Sequence, residues 1–200
     1  MSLYVFVDYQ HAGKPSRRKV RDRGAWGDLN GDGEREYLEL EAYWTGLLAL
    51  KLMQGCYVRN IPSILLSDGW YGNRARRAAT YTKDRSLYFA LHFNAGGGGY
   101  GSCFFDYRSG PRNGPRLADL IAQNLTVHLP ELDKCKAIKA TPSDWTKNAY
   151  STIKACPGKM IGICLEPAFI DNPAHAPIFS DEGLDRITVG VMSAIEQFGD

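Results

Sequence analysis

Short apolar runs alternate along the chain with longer segments whose apolar residues recur at helical spacing. The runs are Leu3–Val7, Ile61–Leu66, Leu87–Phe93, Cys103–Tyr107 and Met160–Leu165. Several are apolar on both faces, as strands covered by helices on both sides must be. Helices are predicted between them, over roughly 37–54, 72–84, 114–128 and 181–197. In the second, Arg74, Arg76 and Arg77 make one side strongly basic. The third has Pro115 near its start and apolar Leu117, Leu120 and Ile121 at i, i+3, i+4. The fourth opens on Ser180, Asp181 and Glu182, an N-cap followed by negative charge in the first turn. This alternation predicts an α/β layered fold with a mostly parallel twisted sheet covered by helices on both faces. No repeat and no Pro/Ser linker divides the chain, so residues 1–200 read as one domain with no separate binding module.

Composition narrows the class. Apolar residues at 44% and aromatics at 12% exclude intrinsic disorder. The net charge of +2 is far from that of a dedicated nucleic-acid binder. No run approaches the 18 or more apolar residues of a membrane span. The first residues carry no basic leader, and Asp8 interrupts the first apolar run. That start reads as a soluble product made in the cytoplasm without a signal peptide. The five cysteines form an odd set with no C-x-x-C pair, so no structural disulfide is expected. Cys103 and Cys164 read as small core residues.

Three of the predicted strands end on groups that carry chemistry. The first runs into His11, the third into His92 and the last into Glu166. Ligands of open α/β sheets bind outside the carboxyl ends of the strands, so these residues are expected to share one crevice. Imidazole nitrogen and carboxylate oxygen are zinc ligands, and three of them leave a fourth position open. Bound zinc lowers the pKa of a water and polarises a carbonyl. A further carboxylate can move the proton from that water to a leaving nitrogen. His128 and His175 read as ordinary structural histidines.

Four blocks in order resemble the zinc-dependent N-acetylmuramoyl-L-alanine amidases of phage endolysins and bacterial cell-wall hydrolases. Residues 7–14, VDYQHAGK, resemble the family's first strand and its turn with a zinc histidine, which falls on His11. Residues 41–52, EAYWTGLLALKL, resemble the helix whose first-turn Glu is a zinc ligand. Residues 87–96, LYFALHFNAG, are similar to the strand ending in His-x-Asn-Ala, which falls on His92. Residues 163–173, ICLEPAFIDNP, are similar to the closing strand with the catalytic Glu, which falls on Glu166. The departures are Tyr9-Gln10 where the family carries Pro-Gly, Pro167 after the Glu, and a longer, more charged stretch from Lys14 to Glu39.

The middle ligand has rivals, because Glu34, Glu36, Glu39 and Glu41 lie close together. Aligning LALKL at 48–52 with the family helix favours Glu41, with Glu39 next. Residues Asp28, Asn30, Asp32 and Glu39, with Gly33 at the sixth position, also match the spacing of an EF-hand calcium loop. The alternative is a polar turn whose Asp and Asn bond their own backbone. If Glu39 serves calcium or caps that loop, Glu41 is freer for zinc. Arg17, Arg18, Lys19, Arg21 and Arg23 follow His11 and read as a solvated face or as the wall of a groove for carboxylate-bearing peptides.

The resemblance implies a monomeric zinc amidase that hydrolyses the lactyl–L-Ala bond of peptidoglycan, with Glu166 as general base and acid. It also implies a phage lysin that reaches the cell wall after release from the host cytoplasm. The rivals are another zinc peptidase on a related scaffold and a catalytically inactive peptidoglycan-binding domain.

Overall fold

Strand β3 (Ser86–Leu91) is buried along its whole length and lies third in a six-stranded sheet. The sheet, from a computed structural model of the chain, has the order β2-β1-β3-β6-β4-β5. The residues described are 3–11, 24–34, 36–67, 71–81, 85–106, 113–142, 146–157 and 159–199. Its strands are β1 (Tyr4–Tyr9), β2 (Ser63–Leu66), β3, β4 (Tyr100–Phe105), β5 (Lys134–Lys139) and β6 (Met160–Glu166). β2, β1, β3 and β6 run parallel, and β4 with β5 runs the other way. The carboxyl ends of β1, β3 and β6 therefore lie side by side on one edge.

Helices cover both faces. Helices α1 (Glu41–Val58), α3 (Asn113–His128) and α5 (Asp181–Gly199) bury Leu48, Leu52, Leu117, Ile121, Ile187 and Val191 against one face. Helices α2 (Tyr71–Tyr81) and α4 (Lys147–Ile153) pack Ala75, Ala78, Ala149 and Ile153 on the other. The two faces separate by parity along each strand, with Val5 and Val7 in the first core and Phe6 in the second. The five cysteines are free thiols, and Cys103 and Cys164 are fully buried. Among the described residues no helix is long and apolar enough to cross a membrane.

Three expectations need correction. The first helix starts at Glu41, not near 37, because Leu40 is extended (φ −90°, ψ 124°) and separates it from a 3-10 turn at Tyr37–Glu39. Arg74 is not part of a basic surface: it is 2% exposed and faces Asp8, while Arg76 and Arg77 stay outside. β5 and α4 have no counterpart among the predicted elements. β5 reads KCKAIK, whose lysines suit a sheet edge and hide its apolar alternation. α4 has seven residues with Asn, Ser, Thr and Ile among them, weak helix formers held by packing on the sheet.

Candidate functional site

His11 lies two residues beyond β1, and its backbone takes the left-handed conformation, φ 54°. His92 follows β3 directly, with its N–H donating to the Leu165 carbonyl of β6. Glu41 is the first residue of α1, where the positive end of the helix dipole favours a carboxylate. These three side chains converge. His11 Nε2 and His92 Nδ1 each stand 3.1 Å from Glu41 Oε1, and 2.9 Å from one another. Ligand atoms at ~2.0–2.1 Å around a tetrahedral zinc stand about 3.3 Å apart, so the triangle is close to the size a zinc ion requires. Among the described residues it is the cluster of His, Cys, Asp and Glu that can hold a metal ion.

Glu41 is held from several sides. Its Oε2 accepts from the Ala25 N–H at 2.7 Å, and its Oε1 from the Phe93 N–H at 3.1 Å. Burial alone would raise its pKa, but hydrogen bonds and charge from His11 and His92 overcome that and hold it well below the usual carboxylate range. The Ala25 segment lies against the helix start through Gly27 N–H to Glu39 O and Glu41 N–H to Ala25 O. Gly24 makes this approach feasible. Its φ is +74°, and a Cβ there would stand 2.4 Å from Glu41 Oε2. Neither Gly24 nor Ala25 carries a signal in the sequence, because a lone glycine after a charged run is an ordinary loop residue.

Glu166 ends β6 and lines the same cavity as His11, Glu41 and His92, with a volume of about 510 Å³. Asn94, from the quoted HFNAG block, and Asn148, from the unforeseen α4, line it too. Desolvation raises the Glu166 pKa, with Glu41 adding to the rise and His92 opposing it. The Cys164 thiol, two residues back on the same strand face, lies 3.9 Å from Glu166 Oε1. The loop beyond Glu166 is strapped to the loop beyond His92. Asp171 accepts from the N–H groups of Gly96 and Gly97 at 2.6 and 3.1 Å. His175 is fully buried and accepts the Phe169 N–H on Nδ1 at 3.0 Å.

The other sequence-derived candidates do different work. Glu39 Oε1 accepts from the N–H groups of Leu29 and Asn30, at 2.6 and 3.5 Å, and Oε2 from that of Glu36, at 3.3 Å. Asp28 and Asn30 accept from Gly33 and Asp32, and Asp32 from Glu34, all backbone N–H groups of the same turn. Asp28, Asp32 and Glu39 form no shared cation cluster, so calcium gains no support from this geometry. The basic residues Arg17, Arg18, Lys19, Arg21 and Arg23 lie outside the described residues.

No protein-family model and no curated protein matches the sequence. Solved structures do match. The N-acetylmuramoyl-L-alanine amidase AmiC2 of Nostoc punctiforme superposes with a TM-score of 0.70 at 16% identity, over 98% of this chain and 96% of that one. The chain has the amidase fold. The CwlD amidase of Clostridioides difficile, solved in complex with the GerS lipoprotein, shares it with a TM-score of 0.68 at 14% identity, over 98% and 97% of the two chains. So does the catalytic domain of the CD27L endolysin targeting Clostridia difficile, at 0.63 and 16%, over 98% and 97%. The amidase fold thus spans nearly the whole of this chain, at identities where the architecture is what is shared.

Proposed function

We propose that the chain is a zinc-dependent N-acetylmuramoyl-L-alanine amidase that cleaves the lactyl–L-Ala amide of peptidoglycan. The observation that carries this is the His11–Glu41–His92 triangle opening into one cavity with Glu166, on an amidase fold. In this reading His11 Nε2, Glu41 Oε1 and His92 Nδ1 hold the zinc. Zinc, when bound, supplies a Lewis acid that polarises the scissile carbonyl and acidifies water.

The chain's own residues do the rest. Coordination through Nε2 of His11 and Nδ1 of His92 places the remaining ring proton on the other nitrogen of each. The Ala25 and Phe93 N–H groups fix the Glu41 carboxylate so that its lone pair faces the two rings. Glu166 takes a proton from the attacking water and hands it to the departing L-Ala nitrogen, so one carboxylate serves both halves of the reaction. Burial, which raises its pKa, suits that second, acidic role. Asn94 and Asn148 offer amides to the peptide from the cavity wall.

The likeness to the CD27L endolysin domain supports a lytic role on the cell wall, as an endolysin. Purified peptidoglycan digested with the zinc-loaded protein should release new L-Ala amino termini and no new reducing sugar ends. Reducing ends without L-Ala termini, or no cleavage by zinc-loaded protein, would overturn the reading.

A further inference from the structure

The turn that presents His11 is costly. A non-glycine residue at φ 54° is held in a sparsely populated conformation, which persists only where the surroundings over-determine it. The residue before it adds to the cost. The Gln10 carboxamide is fully buried, and neither its nitrogen nor its oxygen finds a hydrogen-bond partner among the described residues. Something must hold this turn in place.

One contact reaches the end of β1 from the α2 face of the sheet. Arg74, on α2, is 2% exposed. Its Nη1 donates to Asp8 Oδ1 at 2.6 Å and to the Tyr9 carbonyl at 2.8 Å. A single nitrogen thus spends its two protons on the last carboxylate and the last carbonyl of β1, directly before Gln10 and His11. Asp8 is fully buried, and its other oxygen accepts from the Tyr88 hydroxyl on β3, four residues before His92. On the other side, the Thr45 hydroxyl of α1 lies 3.4 Å from the Gln10 carbonyl.

We propose that Arg74 is a positioning residue for His11: by tying the Tyr9 carbonyl to the Asp8 carboxylate it holds the strained turn that aims the imidazole at Glu41 and His92. This rests on the reading of His11 as a metal ligand. An ion pair that merely fastened α2 to β1 would require the Asp8 contact and not the one to Tyr9. The shared nitrogen makes the end of β1 part of the same unit. Loss of the pair leaves the turn free to relax from its left-handed conformation, moving Nε2 away from the other two ligand atoms.

The test compares zinc affinity, by competition with a chromophoric chelator, and the visible absorption of the cobalt-substituted protein. The variants are Arg74→Lys, Arg74→Met and the double variant Asp8→Asn/Arg74→Met. The double variant leaves no orphaned buried charge, so it keeps the fold where the single Met variant unfolds. Its metal-free melting confirms this. The expected result is zinc binding at least about tenfold weaker in the double variant, with an altered cobalt spectrum. Arg74→Lys, which keeps a charged donor, restores part of the affinity. Tyr88→Phe, which touches Asp8 but not the Tyr9 carbonyl, lowers stability and leaves zinc affinity unchanged. A double variant that binds zinc as tightly as the parent, with the parent's cobalt spectrum, overturns the role of Arg74 alone. A parent that binds neither metal overturns the metal reading itself.

Discussion

The imidazoles of His11 and His92 meet edge to face, 81 residues apart in the chain, with Nε2 of one 2.9 Å from Nδ1 of the other. Two nitrogens that close, each also 3.1 Å from one carboxylate oxygen, form a site ready for a cation. The protein purified without chelator should therefore carry about one zinc per chain. His92→Ala removes one corner of the triangle and should lose most of that zinc by elemental analysis. Full zinc content in the variant would sink the site.

Glu41 and Glu39 should separate cleanly. Glu41→Ala removes the oxygen shared by both histidines and should abolish zinc binding. Glu39→Ala should keep the zinc and lower stability by about 1–3 kcal/mol, because the N–H groups of Leu29, Asn30 and Glu36 lose their acceptor. Metal analysis and denaturant melting of both variants decide it. Zinc lost from Glu39→Ala alone would move the ligand two residues back.

Glu166→Gln keeps the size of the side chain and removes its basicity. It should retain zinc and fold and lose about 10²–10⁴-fold in kcat, the usual contribution of a positioned acid–base group. Wild-type kinetics with zinc retained would remove Glu166 from the chemistry.

Glu131 and Arg186 form a bidentate pair, with contacts of 3.0 and 2.6 Å, between α5 and the turn after α3. Hydrogen bonds from Arg186 lower the Glu131 pKa against a smaller opposing effect of burial. A depressed carboxylate stabilises the folded state above its unfolded pKa of about 4.3, and that stability drains away as pH falls through the lower, folded value. Glu131→Gln should therefore cost about 1 kcal/mol near pH 7, a figure discounted for partial exposure. The difference from the parent should shrink below pH 4 in acid denaturation curves. An equal difference at pH 7 and pH 3 would contradict the linkage.

The sequence by itself determined the parts of this protein that local pattern controls. Apolar runs marked β1, β3, β4 and β6, because central strands need residues that bury on both faces, and a further apolar run marked β2 at the sheet edge. The strand ends pointed to His11, His92 and Glu166, since parallel strands deliver their carboxyl ends to one edge. The likeness of LALKL to the family helix favoured Glu41 over Glu39, a choice that local periodicity did not make; in the structure the extended Leu40 breaks the helix between them and turns the two carboxylates to different partners.

What only the tertiary structure decided is pairing at a distance. The lysine-studded edge strand β5 and the short α4 owe their existence to the sheet they pack on. Gly24 belongs to the site only because its backbone meets Glu41, 17 residues away. Arg74 looks like one of three surface arginines until the sheet places Asp8 and the Tyr9 carbonyl opposite it. A buried charge is tolerated where its partner is waiting, and the partner is chosen by the fold, not by the neighbours in sequence.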